Sequence, residues 1–451
     1  MAARPPGEPE PQTPANGDAE PTWAVRRAPF SGNPQVGARG QRTRQRIVDA
    51  ALEVFGDDGY HQVSIDRITT VAGCSRVAFY QYFSDKEDVL RHLAGQVARQ
   101  LAASTELLEP VTADERGWAS LRAWVGRNAV VQHRYEAIFR AYPAALLDDD
   151  DEAAATGRPL HVAEEDVARI RSRLADPPLP PRRLDEVIRL LLEGMAQATT
   201  IASVLTAETP GAFPPEHVQD AVCDVVHRSF FGVLPGINVH GPVADRPEPL
   251  RFSRNMRRAL GAGDDLPKLT PAGLRTLTAL VVAGRAVLLR RGYHATRVDD
   301  IVAEAGVSHG AFYRYFRNKE DLARLITVRS MRNVAVALAE IPDVDLDGPN
   351  GTSALRRWLR RYNAVHASEM AMIQVWADAG LDGAVVGADS AAAFDWGRRR
   401  MVRVLARRDF GDVETDGLIL MALVAAFGTS TRSSATVDAA AHIIERGLLG
   451  A

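Results

Sequence analysis

The sequence predicts an all-α protein that is built from two tandem copies of one helical plan. Residues 59–90 and 292–323 align without a gap at an offset of 233 residues, and sixteen of the 32 aligned positions are identical. Elsewhere apolar residues recur at the three- and four-residue spacing of helices, and no segment shows the alternation of a strand. A repeat this long and in register indicates two structural units in one polypeptide.

The composition is that of a globular protein that does not depend on disulfides. The 451 residues carry a net charge of −3, so any affinity for nucleic acid must come from local placement of basic side chains. Two cysteines, Cys74 and Cys223, favour a reducing environment. The best apolar run, residues 418–427, is too short to span a membrane, and no secretion signal is evident. We therefore expect a cytoplasmic protein without membrane contact.

Each copy begins with three short helices. In the first copy, apolar spacing predicts helices over 41–55 and 65–72, and a third from Ser75 to Phe83. Ser64 and Ser75 are good N-caps, and Gly73 provides a tight turn between the second and third helices. The second copy predicts helices over 275–290, 298–305 and 308–316. A long amphipathic helix then starts near Asp85 in the first copy and near Asn318 in the second.

A larger and more divergent helical stretch follows each three-helix unit. A Pro/Gly-rich segment separates the copies and is expected to restrict the position of the second copy very little. The predicted order is a disordered tail (1–38), a first DNA-binding domain (39–92), a first helical regulatory domain (93–235), a linker (236–268), a second DNA-binding domain (269–325) and a second helical regulatory domain (326–451).

Three short helices with a glycine turn between the second and third describe a helix-turn-helix, whose third helix enters the major groove of DNA. Helical spacing turns Phe79 and Phe83 toward the core and Arg76 to the opposite face, where its guanidinium can donate two hydrogen bonds to guanine. The predicted DNA-binding residues of the first copy are Arg42, Arg44, Ser64, Ser75, Arg76, Val77, Tyr80, Gln81, Tyr82 and Lys86. Those of the second copy are Thr296, Ser308, His309, Gly310, Tyr313, Arg314, Tyr315 and Lys319.

Each group of these residues has its own predicted role. The hydroxyls of Tyr80 and Tyr82, those of Tyr313 and Tyr315, and the two lysines are expected to meet phosphates, the lysines with the help of a helix N-terminus. Arg42 and Arg44 are expected to reach the DNA backbone or the minor groove. A solvated surface position is the alternative for each.

The segments SRVAFYQYFSDKED (75–88) and SHGAFYRYFRNKED (308–321) resemble the TetR family of bacterial transcriptional regulators. Two fused copies resemble tandem regulators of this type. The resemblance implies a helical ligand-binding and dimerisation domain after each helix-turn-helix, with the last two helices of each copy in a four-helix interface. We therefore expect an intramolecular pseudo-dimer, either monomeric or paired further as a homodimer. The sequence departs from the family at Val77, Thr69 and Arg297, and Gly284 interrupts a predicted helix at a cost of about 1 kcal/mol.

Aromatic and methionine side chains in the two regulatory stretches are candidates for an effector pocket, although such stripes at helical spacing usually form core. The candidates are Trp124, His133, Phe139, Tyr142, Trp358, Tyr362, Met370 and Trp376. Few charged residues surround them, which favours an apolar small-molecule effector. No motif for a metal, a nucleotide or a hydrolase nucleophile is present, and no cofactor is expected.

The predicted function is a non-enzymatic regulator, most simply a repressor, that binds a double-stranded DNA operator and is released by its effector. One alternative is an architectural or co-regulatory DNA-binding protein that senses no ligand. Another is a helical enzyme or scaffold in which the helix-turn-helix units are vestigial.

Overall fold

A computed structural model describes residues 38–139, 164–237, 248–257, 269–342, 351–378, 383–429 and 433–450, except positions 61, 178, 235, 255 and 256. Most of the predicted tail therefore lies outside the described residues, as does much of the linker. Within the described residues the fold is all-α, as predicted, with one isolated β-bridge between Val111 and Leu174.

The helices of the first copy match the predicted order. They are α1 (Ala38–Asp57), α2 (Ile65–Ala72), α3 (Arg76–Tyr82), α4 (Lys86–Glu106), α5 (Glu115–Arg134), α6 (Glu164–Arg173), α7 (Pro181–Glu208) and α8 (Pro215–Phe231). The helices of the second copy are α9 (Pro271–Ala295), α10 (Val298–Ala305), α11 (His309–Tyr313), α12 (Lys319–Ala339), α13 (Gly351–Asp378), α14 (Gly383–Leu405), α15 (Val413–Thr429) and α16 (Ser434–His442), which continues as a π-helical turn (Ile443–Leu448).

Each three-helix unit closes on its own small core. Phe79 and Phe83 are fully buried beneath α1 and α4, and Phe312 and Phe316 are buried in the second unit. The turn after α2 depends on Gly73, whose φ of 59° lies in the left-handed region that glycine adopts most easily. Gly306 plays the same part after α10, with a φ of 64°.

Gly284 lies where α9 packs closely against α12. A Cβ atom at this position in α9 would lie 2.6 Å from Leu322 Cδ2, so the glycine allows α9 and α12 to approach closely. The first copy has Ala51 at the equivalent position. α9 is kinked at Gly292, where φ is 71°. This position is close to the predicted end of the helix.

The regulatory helices of both copies share one core. α7 packs along α15 and against α16, while α8 packs on the π-helical turn that ends the second copy. Gly447 in that turn lies so close to α8 that a Cβ atom would meet the carbonyl oxygen of Val225 at 2.8 Å. The predicted four-helix packing of copy on copy is therefore present within this one chain.

A buried ion cluster joins the copies at this interface. Arg228 of α8 is fully buried and donates to Asp416 of α15 at 3.0 Å and to the carbonyl oxygen of Gly447 at 2.8 Å. Asp416 also accepts from Arg408, so two arginines share one carboxylate. Such a cluster is sensitive to the loss of either partner because an uncompensated buried charge would remain.

Part of the linker is attached to the second copy, contrary to the expectation that it leaves that copy unrestricted. The backbone N–H of Leu250 donates to Asp395 at 3.0 Å, and the Ser253 hydroxyl donates to Asp389 at 2.8 Å. Both carboxylates belong to α14. The described residues of the linker are therefore held against α14.

Two helices are long and apolar enough to cross a membrane by length and composition alone, which the search for apolar runs missed. They are α7 and α9. In α7 the apolar side chains, among them Val187 and Ile201, are buried in the shared core. One or two such helices are weak grounds for a membrane protein, because core helices of soluble proteins pass the same test.

Candidate nucleic-acid interface and effector pocket

The start of each recognition helix is fixed by a serine, as predicted. Ser75 Oγ accepts a hydrogen bond from the Ala78 N–H at 3.1 Å and so caps α3. Ser308 Oγ caps α11 in the same way through Ala311 N–H at 3.2 Å. Ser64 caps α2. These caps satisfy helix-terminal N–H groups that would otherwise need another partner.

The outer face of α3 carries the residues predicted to meet base edges. Arg76 and Gln81 are exposed, and Val77 is 71% exposed, a high value for an apolar side chain. The guanidinium of Arg76 pairs with Asp66 of α2 at 3.2 Å and lies 3.5 Å from the Tyr80 hydroxyl. These two partners raise the pKa of Arg76, with the Tyr80 hydrogen bond the larger cause. Because the pair is solvent-exposed, its exchange for contacts to a base costs little.

The second unit repeats this arrangement with different chemistry. His309, at the position of Arg76, pairs through Nε2 with Asp299 at 2.9 Å. Gly310 takes the place of Val77, and Tyr313 is 57% exposed. Arg314 is exposed where the first unit has Gln81. The two outer faces therefore present different hydrogen-bonding groups to DNA.

Both lysines that were predicted to bind phosphate donate hydrogen bonds within their own units. Lys86 donates to the carbonyl oxygens of Tyr60 at 3.0 Å and Val63 at 3.3 Å, and its ammonium lies 4.6 Å from the centre of the Tyr60 ring. Lys319 makes the equivalent contacts, to the carbonyl oxygens of Tyr293 and Thr296, both at 2.8 Å. Burial lowers the pKa of both lysines. We call this arrangement the lysine clamp; it ties the loop after the first helix to the start of the fourth.

Three further side chains that were predicted to contact DNA also have partners inside their own unit. Thr296 is 1% exposed and its hydroxyl donates to the Gly292 carbonyl oxygen at 2.6 Å. Arg44 lies 3.0 Å from His92 Nδ1 and stacks over Phe83. The Tyr315 hydroxyl donates to the Gly273 carbonyl oxygen at 3.1 Å.

Two other predicted contacts differ in exposure. The Tyr82 side chain is 9% exposed and packs in the core of the first unit, so little of its surface is accessible to a phosphate. Arg42 is exposed on the first turns of α1, where it remains a candidate for contact with the DNA backbone.

Sequence reasoning did not assign a role to Asp66 and Asp299. They occupy equivalent positions in α2 and α10 and hold the first residue of each recognition helix. The repeat itself could have indicated this role. An aspartate stands ten residues before Arg76 in the first copy and ten residues before His309 in the second.

The predicted pocket residues of the first copy fall into two places. Trp124 lines an apolar cavity of about 20 Å³ between α5, α6, α7 and α8. His133 and Phe139 line a separate cleft of about 50 Å³ beside Thr199 on α7. Tyr142 lies outside the described residues.

Two of the four predicted pocket residues of the second copy, Trp358 and Tyr362, are packed in the core. The Trp358 Nε1–H donates to the Ala337 carbonyl oxygen at 2.8 Å, and the indole stacks on Tyr362 with ring centres 5.3 Å apart. Burial raises the pKa of Tyr362 and lowers that of the neighbouring His366 to about 4. Met370 is half-buried, and the Trp376 side chain lies outside the described residues. In the part of the chain that the structure describes, no acidic, His or Cys residues cluster as a metal site.

Comparison with known proteins matches both three-helix units to one family. The family described as bacterial regulatory proteins, tetR family, matches residues 47–93 and again residues 280–326. These two segments begin in the first helix of each unit and end in the fourth.

Individual relatives cover different shares of the chain. The HTH-type transcriptional regulator SrpR of Pseudomonas putida is 37% identical over 87 residues, 19% of this chain and 39% of SrpR. The fatty acid metabolism regulator protein of Bacillus subtilis is 37% identical over 73 residues, 16% of this chain and 38% of that protein. These matches span less than two thirds of either relative. The HTH-type transcriptional repressor LfrR of Mycolicibacterium smegmatis is 26% identical over 191 residues, 39% of this chain and 93% of LfrR.

Proposed function

We propose that this chain, whose two helix-turn-helix units both match the TetR family, is a cytoplasmic, non-enzymatic repressor that binds one DNA operator with both units. The observation that carries the proposal is that two capped, outward-facing recognition helices belong to copies whose regulatory helices share one core. A single chain then supplies what a dimer of one-unit regulators supplies by association.

The operator is proposed to be non-palindromic. The two recognition helices would lie about one turn of DNA apart, roughly 34–36 Å. Arg76 and Val77 offer a bidentate donor and a methyl surface, which suit guanine and thymine. His309 offers an imidazole ring in place of a guanidinium, and Gly310 has no side chain. The second half-site should therefore differ in sequence from the first.

Release of the operator is proposed to follow from binding of a small apolar effector. The long helices α4 and α12 begin directly after the recognition helices and extend into the regulatory domains. An effector that prefers a state with shifted α4 would change the spacing of the two units and lower operator affinity. The shift in population cannot exceed the difference in the effector's affinity for the two states.

Footprinting of the purified chain on the DNA upstream of its own gene, with the stoichiometry measured, tests the proposal. We expect one chain to protect two adjacent half-sites of unlike sequence, with an affinity that falls steeply as salt rises. Failure to shift this DNA at low salt, together with a flat salt response, would instead favour vestigial helix-turn-helix units.

A second candidate is a DNA-binding architectural or co-regulatory protein without an effector. The packing around Trp358 favours it, because this indole donates to the Ala337 carbonyl oxygen and stacks on Tyr362, which is the arrangement of a core side chain. It predicts that a panel of apolar ligands leaves both the melting temperature and the operator affinity unchanged.

A further inference from the structure

We propose that the outer face of α9 is a docking surface for the same helix of a second copy of this chain, so that two chains pair through their second DNA-binding units. The proposal goes beyond operator recognition and effector release, because it concerns association between chains and is tested without DNA. A pair of chains joined in this way carries both recognition helices of each chain, α3 and α11, on one assembly.

The first observation is a row of apolar side chains on the exposed side of α9. Ala279, Val282, Ala286 and Leu289 follow each other at alternating spacings of three and four residues, which places them along one face of the helix. Val282 is 63% exposed and Leu289 is 41% exposed, while the two alanines are half-buried. We call these four residues the α9 seam. Only 33% of the most apolar window of α9 is buried, so packing within the described residues does not account for the hydropathy of this helix.

The first copy provides an internal control for this face. The equivalent positions of α1 are Arg46, Asp49, Glu53 and Gly56, and all four are exposed. Both helices bury their opposite face in the core of their own unit. The three-helix fold therefore needs no apolar residue on the outer face, and folding of the unit does not explain the seam.

The order of side chains along the seam fits a second copy of itself. Small and large side chains alternate, and an antiparallel pair with its two-fold axis at the level of position 284 sets Val282 of one chain opposite Ala286 of the other. The same axis sets Leu289 opposite Ala279. Each larger side chain then meets a small one on both sides of the axis, which is the self-complementarity that an isologous interface requires.

The charges beside the seam permit this approach. Arg285 pairs with Glu369 at 2.6 Å, and Arg290 pairs with Glu304 at 2.8 Å, so two chains can meet without setting uncompensated arginines against each other there. Arg275 is exposed one turn before the seam. In an antiparallel pair it comes to the end of the other α9, where the Glu304 side chain is 41% exposed, whereas a parallel pair would set Arg275 against its own copy. Charge therefore favours the antiparallel arrangement.

The seam is narrow, and its size sets the kind of partner. From Ala279 to Leu289 it is about 15 Å long. Contact between two such helix faces buries less than the roughly 1,200 Å² of a stable complex, so association of free chains should be weak and reversible. A lipid surface is a poorer match, because an interfacial helix presents a wide apolar face with cations available to headgroups, and Arg285 and Arg290 are already paired.

Sedimentation velocity of the full chain without DNA, over a range of about 5–200 µM, tests the proposal in the regime of weak complexes. We expect the average mass to rise with concentration from that of a monomer toward that of a dimer. Val282→Asp combined with Ala286→Glu introduces the residues of the first copy and sets like charges opposite each other, so this double variant should stay monomeric throughout the range. Leu289→Glu, at the end of the seam, should have the same effect. The matched control is Val130→Asp on α5, where the valine is 70% exposed, and it should associate like the wild type.

Three results would overturn the proposal. The first is a wild-type chain that stays monomeric over the whole range, and the second is dimerisation of the double variant and of Leu289→Glu. The third is a monomeric wild-type chain that floats with phosphatidylglycerol vesicles and loses this binding in the double variant, which would assign the face to a membrane. Circular dichroism and the melting temperature report the fold of each variant. A monomeric wild type whose double variant melts at a lower temperature would assign the seam to another segment of the same chain.

Discussion

The two DNA-binding units of this chain are alike inside and different outside. Both bury a pair of phenylalanines, both cap the recognition helix with a serine, and both close the loop after the first helix with a lysine clamp. The outer faces diverge, with Arg76 opposite His309 and Val77 opposite Gly310. The shared residues maintain the fold of the unit, and the divergent ones are free to specify sequence.

The regulatory halves differ in a complementary way. The first copy has a small apolar cavity beside Trp124, whose indole N–H has no acceptor among the described residues, whereas the Trp358 indole of the second copy donates to a carbonyl oxygen. A fused pair can specialise in this manner because both halves act through one interface. In a symmetric homodimer both subunits carry every substitution, so both sites would change together.

The largest expected effect is on stability, and it comes from the buried ion cluster that joins the two copies. Asp416→Asn leaves Arg228 and Arg408 buried without a full negative charge, and we expect a loss of about 3–5 kcal/mol in unfolding free energy. Urea denaturation measures it. The matched control is Asp438→Asn. It weakens an ion pair with Arg356 that is partly exposed to solvent, so it should cost at most about 1 kcal/mol. Equal losses in the two variants would show that burial does not increase the contribution of the ion cluster to stability.

Replacing the clamp lysines probes what the units share. Lys86→Met and Lys319→Met keep much of the apolar stem but remove hydrogen bonds from a charged donor to main-chain carbonyls, so each should cost about 1.5–3 kcal/mol. Thermal unfolding measures the loss. Direct phosphate contact would instead give variants of unchanged stability with weaker operator binding and a smaller salt dependence.

Gly284 and Ala51 form a reciprocal test of packing at equivalent positions. Gly284→Ala improves helix propensity but forces a methyl group against Leu322, and we expect a net loss of about 1–3 kcal/mol. Ala51→Gly should cost about 1 kcal/mol through helix propensity alone. Chemical denaturation of both variants decides the matter, and stabilisation by Gly284→Ala would show that the close approach to α12 is readily relieved.

The outer faces give the smallest effect, and it concerns binding alone. Arg76→Ala should weaken the first half-site about tenfold and relax its base preference, while His309→Ala should act on the second half-site only. Gel shifts with operators altered in one half-site measure both. Equal losses on the two half-sites would contradict the asymmetric assignment, and neither variant should change the melting temperature.

The sequence alone determined the repeat, the helical class and the positions of the caps. Each of these depends on residues that are neighbours in the chain: the serine that caps α3 bonds to an N–H three residues away. The spacing of Phe79 and Phe83 likewise fixed their inward face. The amphipathic stretches after each unit predicted helices without saying what they pack against.

Only the tertiary structure decided which long polar side chains point inward. Lys86 reaches carbonyl oxygens 23 and 26 residues away, and Arg44 meets His92 on another helix. The reason for Gly284 and the sharing of Asp416 by two arginines depend on helices brought together from distant parts of the chain. A flexible charged side chain takes whichever partner the fold places within reach, and local sequence patterns do not specify that partner.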